Sequence, residues 1–226
     1  MTHVIIVGEG QTEETFAANV LRPHLAAHGI TVEPRLVETS PRGRGGGLSR
    51  DRVIRALSYT LRESGRTFVT TFFDLYALKP DFPGIEAARA ANGPLQKSRI
   101  VEAALAAETI AASGGCRAER FVPHIQPYEF EALLFSDVAA IVEVQPEWRR
   151  FEPSLRQARE DSDTPEHIND GLATHPSARL TTLLEPRYKK PLHGSRIAAS
   201  IGLARIREEC RHFDAWLTKI ESLQPL

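Results

Sequence analysis

Val4-Ile5-Ile6-Val7 is a short, unbroken apolar run that ends at Gly8-Glu9-Gly10, and it limits the possible folds more than any other feature of the chain. A strand that is apolar at consecutive positions buries both faces, which is the habit of parallel sheets covered by helices on each side. After the glycine turn, Phe16, Val20 and Leu21 recur at helical spacing and Gly29 supplies a stop, so a helix is expected from about Thr12 to His28.

The strand–helix unit then repeats. Thr31 to Thr39 reads as a second strand, and Ser40 to Gly47 as a loop dense in Gly and Arg. Ser49 is a suitable N-cap for a helix carrying Val53, Ile54, Leu57 and Leu61 on one face. Thr67 to Phe73, rich in β-branched and aromatic residues, is a third strand that stops at Asp74. Between Lys79 and Pro94 the breakers Pro80, Pro83, Gly84 and Gly93 predict a surface excursion. Ile100, Val101, Ala104 and Leu105 mark a third helix, and Phe121 to Ile125 a fourth strand leading into Tyr128-Glu129-Phe130-Glu131. This alternation predicts an α/β fold: residues 1–135 form a core with a mainly parallel four-stranded sheet flanked by helices. Residues 136–226 lack strand patterns and read as a helical, loop-rich C-terminal region packed on that core. Ile206, Cys210, Phe213, Leu217 and Ile220 form the stripe of one long final helix.

At 226 residues the chain can bury one sizeable core, and 42% hydrophobic with 25% charged residues places it among ordinary globular proteins. A formal net charge of -1 provides no global field for a polyanion, so any nucleic-acid contact needs a local basic patch. Cys116 and Cys210 have no paired spacing, which fits a reducing, cytoplasmic compartment. The apolar runs are too short for a secretory leader or a membrane span, so no membrane association is expected.

In open α/β sheets ligands bind beyond the carboxyl ends of the strands. Here Glu9 follows the first strand, Asp74 the third, and Glu129 with Glu131 the fourth, while Glu13 lies about one helical turn beyond Glu9. Carboxylates gathered at one edge repel one another unless a cation neutralises them or one stays protonated. Oxygen-only donors select a hard ion, so Mg²⁺ or Mn²⁺ is favoured, and such ions serve phosphodiester cleavage. Other readings stand beside this one. Glu13 and Glu14 also suit a helix N-terminus whatever the function, and either Glu129 or Glu131 can face solvent or cap the next helix.

The segment Glu9-Gly10-Gln11-Thr12-Glu13 after an apolar strand, with Asp74 closing a later one, resembles the Toprim domain of topoisomerases, primases and the nucleases of the overcoming-lysogenization-defect type. Phe73-Asp74, Asp81-Phe82-Pro83-Gly84, Glu129 through Phe135, Ile168-Asn169-Asp170-Gly171 and Leu192-His193-Gly194 add a closer resemblance to the bacterial domain-of-unknown-function family 4276, placed among Toprim-like proteins. The resemblance implies a Toprim-like fold and a magnesium-dependent nuclease. In it Glu9, Asp74 and Glu129 are catalytic metal ligands, and Glu13 and Glu131 are additional ligands. It also implies a separately encoded ATPase partner and a role in anti-phage defence. The Toprim pattern has a second Asp two positions after the first, where this chain has Tyr76. That departure favours a single-ion site or a non-catalytic module that binds a nucleotide or an ATPase.

Two basic segments are candidate contacts for DNA or RNA. Arg42 and Arg44, in Arg42-Gly43-Arg44-Gly45-Gly46-Gly47, combine guanidinium groups with a flexible backbone, which equally describes a solvated linker. Lys189, Lys190 and His193 offer positive charge and a proton donor, although lysines beside a turn are commonplace and a lone His is more often a packing or capping residue.

Overall fold

The computed structural model describes residues 1–37, 48–168, 171 and 174–226. Arg42 and Arg44, and with them the proposed Arg-rich grip, lie outside the described residues.

The first strand, β1 (Thr2–Gly8), runs into helix α1 (Gln11–Phe16), a π-helical turn (Ala17–Leu21) and α2 (Arg22–Ala27) before β2 (Ile30–Leu36). Helix α3 (Arg50–Glu63) follows, with Ser49 at its N-cap, then β3 (Thr67–Asp74), a short α4 (Ile85–Ala88) and the long α5 (Pro94–Ala112). The fourth strand comes in two pieces, β4 (Phe121–Val122) and β5 (Ile125–Gln126), and leads to a 3-10 helical segment, Phe130–Ser136. Helices α6 (Val138–Glu143), α7 (Glu152–Glu160), α8 (Pro176–Leu183), α9 (Lys190–Ile201), α10 (Leu203–Glu209) and α11 (Arg211–Glu221) complete the described chain.

The strands form one parallel sheet in the order β2-β1-β3-β4, with β5 continuing alongside β3. This mixed α/β architecture, with flanking and C-terminal helices, is compatible with a Toprim-like fold. The unbroken apolar run of β1 does what its pattern predicts. Val4 and Ile6 enter one core with Phe16, Phe72, Phe130, Phe213 and Trp216. Ile5 and Val7 enter the other, against Val53, Leu57, Val101 and Leu105.

Two expectations need correction. The fourth strand is not continuous: Pro123 and His124 separate its two pieces. Thr71 fills the gap: its hydroxyl donates to the His124 carbonyl at 2.8 Å and accepts from the His124 N–H at 2.9 Å. Register survives, with Thr70 opposite Val122 and Phe73 opposite Ile125. Nor is the last helix one piece. Cys210 breaks it with φ -116 and ψ 87, and starts α11 at a new angle that still buries Phe213, Leu217 and Ile220. A period-3.6 stripe cannot reveal such a break when both halves keep their apolar faces.

No helix among the described residues is long and apolar enough to cross a membrane, and Cys116 and Cys210 are free. Helix α9 packs directly on α1, and Gly194 makes the approach possible. A Cβ there would stand 3.0 Å from Phe130 Cε1, 3.1 Å from Thr12 Cγ2 and 3.2 Å from the Tyr188 hydroxyl. Gly194→Ala is therefore expected to destabilise the fold by about 1–3 kcal/mol through overpacking. Urea unfolding checks this, and an unchanged midpoint would show that α9 can move away without cost.

Candidate functional site

β1 and β3 are neighbours, with Gly8 opposite Phe72, so Glu9 and Asp74 emerge from adjacent strand ends. The chain leaves β1 toward β2 on one side and later adds β3 on the other, so this edge is the switch point at which parallel sheets open a crevice. Glu13 comes from the first turn of α1, close enough that a Cβ on Gly8 would lie 3.0 Å from Glu13 Cβ. Glu131 comes from the 3-10 segment after β5.

Lys190, at the start of α9, puts its ammonium in the centre. Lys190 Nζ lies 3.0 Å from Asp74 Oδ2, 3.2 Å from Glu131 Oε2 and 3.4 Å from Glu13 Oε1. Each of these acids is anchored through its other oxygen. The Phe130 N–H donates to Asp74 Oδ1 at 2.8 Å, the Gly10 N–H to Glu13 Oε2 at 3.0 Å, and the Tyr188 hydroxyl to Glu131 Oε1 at 3.1 Å. One oxygen of each is thus held by the fold and the other is presented to the cation.

The electrostatics show that one ammonium is not enough. Burial, then the charges of Asp74 and Glu13, raise Glu9 to about 7. Burial and Asp74 raise Glu13 to about 7, against the pull of Lys190 and a backbone N–H. Burial, with Asp74 and Glu129, raises Glu131 to about 7 despite Lys190. Asp74 is also raised, chiefly by burial, while Lys190 pulls it back. Burial disfavours the charge on Lys190, but Asp74, Glu131 and Glu13 outweigh it and hold the amine well above the ordinary lysine range. A third of its side chain is exposed, yet the carboxylates around its ammonium are almost fully buried, so solvent screens the cluster weakly.

The structure puts the other candidates in different company. Glu129 turns to the N-terminus of α8: its Oε2 accepts from the Ser177 N–H and meets His175 Nδ1, both at 3.0 Å, and its Oε1 accepts from the Ser177 hydroxyl at 3.0 Å. It acts on the cluster through its charge, which raises Asp74 and Glu131. His193 is buried beside Trp148 and Tyr188, and its Nδ1 accepts from the Lys189 N–H at 3.0 Å, a capping contact within α9. Lys189 is exposed at the N-cap of the same helix. Tyr76, where a second Asp was the Toprim expectation, is 47% exposed and packs edge-on against Tyr128 at 5.4 Å and His175 at 5.9 Å.

Residues not singled out from the sequence also carry the site. His175 gives its place away only as the residue before Pro176, a helix-start pattern, and Tyr188 and Gly194 sit in a motif whose basic residues drew the attention. A separate group, Glu102, His124 and His212, could hold a metal ion, since one donor atom from each lies within 4.8 Å of the others. Glu102 and His212 are 110 residues apart, so no spacing motif announces them.

The family model for the domain of unknown function DUF4276 matches residues 8–221. The chain belongs to the DUF4276 family. Neither a curated protein nor a solved structure matches it. The family match spans Glu9, Glu13, Asp74, Glu131 and Lys190, so in this DUF4276 protein the whole acidic cluster falls inside the shared region.

The cluster makes a prediction for the metal-free protein. Glu9, Glu13 and Glu131 are raised to about 7, so their share of stability is full below the ordinary carboxylate range and lost as pH rises through about 7. Lys190 opposes that loss only where the acids are ionised. Lys190→Met should therefore cost more at pH 8 than at pH 5, and at pH 8 near the lower end of the roughly 3–5 kcal/mol typical of breaking a buried pair, because part of the lysine is exposed. Thermal unfolding in chelator at the two pH values reads this directly; an equal loss at both would mean that the ionisation of the acids around Lys190 does not change between them.

Proposed function

We propose that this DUF4276 protein is a divalent-metal-dependent nuclease that hydrolyses phosphodiester bonds in DNA or RNA. The observation that carries the proposal is four carboxyl groups, Glu9, Glu13, Asp74 and Glu131, gathered at the switch point around a single ammonium. The excess negative charge calls for a further cation, and all four donors are oxygen, which suits Mg²⁺ or Mn²⁺. Glu131 Oε2 is buried and faces the same Lys190 ammonium at 3.2 Å.

Glu9, Glu13, Asp74 and Glu131 would hold the ion. When bound, it would polarise a phosphate oxygen and lower the pKa of an attacking water. The chain's own groups do the rest. The N–H groups of Phe130 and Gly10 and the Tyr188 hydroxyl keep three carboxylates aimed inward. Lys190, once the carboxylates are neutralised from elsewhere, becomes free to pair with a phosphate oxygen and to stabilise the charge that develops on it. Glu129 anchors α8 through Ser177 and His175, and the half-exposed Tyr76 ring lies on that side as a surface for a base. The Toprim resemblance adds a separately encoded ATPase and a role in anti-phage defence to this reading, and the unpaired cysteines a cytoplasmic setting.

A second reading has an observation of its own. Lys190 already occupies the centre of the acids and Tyr76 replaces an acid, which suits a Toprim-like module that binds a nucleotide or an ATPase without cutting. Incubating the purified protein with supercoiled plasmid, single-stranded DNA and RNA, in Mg²⁺, Mn²⁺ or chelator, separates the two. The nuclease reading expects cutting that chelator stops, that Asp74→Asn and Glu131→Gln abolish, and that Lys190→Met slows on the order of 100-fold. Cutting of none of these substrates, with the ion bound, would establish the module instead.

A further inference from the structure

A second polar cluster lies at the edge of the sheet, under α5 and α11, and it shares no residue with the acidic site. Its centre is Glu102 Oε1, which accepts from the Ile125 N–H at 2.8 Å, meets His212 Nε2 at 2.7 Å and faces His124 Nδ1 at 3.7 Å. The His124 ring is wholly buried and held flat between His212 at 5.1 Å and Trp216 at 4.7 Å. Its other nitrogen, Nε2, lies 3.2 Å from Gln126 Oε1.

The hydrogen-bond partners decide which nitrogen of His124 carries the proton. The Gln126 side chain turns Oε1 to His124 Nε2, and its own Nε2, like His124 Nδ1, is buried with no hydrogen-bond partner among the described residues. A carbonyl oxygen only accepts, so His124 Nε2 must donate, and a neutral imidazole then has a bare lone pair at Nδ1. Among the described residues Nδ1 has no hydrogen-bond partner, and it points toward a carboxylate oxygen, another acceptor. Two lone pairs facing each other in a dry interior are costly unless a cation lies near both.

We propose that Glu102, His124 and His212 bind a zinc-class divalent ion that ties α5, the interrupted fourth strand and α11 together. Two imidazoles and one carboxylate are a borderline donor set, unlike the all-oxygen set of the acidic site, and three protein donors leave a fourth position for water. The Gln126 contact matches the outer-shell partner that metal-bound histidines use to fix their tautomer. Glu102 reaches the surface in part, with 17% of its side chain exposed, and gives the ion a way in. This inference stands apart from the nuclease reading.

The test uses the full chain purified without added metal, measured by plasma mass spectrometry, then stripped and titrated with Co²⁺. The expected result is about one zinc per chain and, on titration, the strong visible absorption of four-coordinate Co²⁺. Asp74→Asn should leave this binding intact. Glu102→Gln keeps an oxygen for the Ile125 N–H but removes the charge, and should weaken Co²⁺ binding roughly tenfold or more. Gln126→Leu, which frees the His124 tautomer without touching the ion, should weaken it by a similar factor. A wild-type chain that takes up neither zinc nor Co²⁺ overturns the proposal, as does binding that Glu102→Gln and Gln126→Leu leave unchanged while Asp74→Asn abolishes it.

Discussion

Lys190 Nζ touches Asp74, Glu131 and Glu13 within 3.4 Å, and these contacts join a strand end, a 3-10 segment and a helix start to a residue 116 positions beyond Asp74. Buried charge is expensive unless it is paired and hydrogen-bonded. The fold meets that cost in two ways, by fixing one oxygen of each acid with a protein donor and by bringing a single cation to the other. It meets it only partly, since Glu9, Glu13 and Glu131 are all driven up to about 7. Unresolved charge at a strand-end crevice is the condition under which a bound cation or a phosphate gains most.

The helix that delivers Lys190 reaches the acids because of the small residue behind it. Gly194 lets α9 approach Thr12 on α1 and Phe130 at distances a Cβ would close to 3.0–3.1 Å. Behind that contact Phe130 and Phe16 join Phe72 and Phe213 in the apolar core, where ring centroids lie 5.2–6.4 Å apart. The charged cluster thus rests directly on a buried aromatic core, which is how an electrostatic site is kept preorganised.

Much of this was legible in the sequence because it depends on local pattern. The unbroken apolar run of β1 implies a strand covered on both sides, Ser49 marks a helix start, and the strand-end rule points to Glu9 and Asp74. What could not be read is whatever depends on a backbone twist or on distant segments. Glu129 and Glu131 are two residues apart, and their side chains part because the backbone changes between them, from extended at Glu129 (φ -150, ψ 156) to 3-10 helical over Phe130–Ser136, which leaves Glu129 on α8 and Glu131 inward. Lys190 looked like one of several exposed lysines, since nothing near it in the chain announces the acids it meets. The break of the last helix at Cys210 escaped for the opposite reason: its apolar stripe continues unbroken through the bend.

The interrupted fourth strand shows how one backbone accident can serve two places at once. Between its two pieces the Thr71 hydroxyl stands in for a backbone partner and bonds both the N–H and the carbonyl of His124. Register is kept across the gap, so Gln126 still stands opposite Asp74 at the end of β3. Had the strand bulged instead, one side of the gap would have changed register, and either the Asp74 end or the His124 ring would have shifted with it. Strand β3 therefore fixes both polar clusters, one at its tip and one along its flank. A substitution such as Thr71→Val, which removes the replacement hydrogen bonds while keeping the shape, acts on the two together even though it touches neither set of carboxylates.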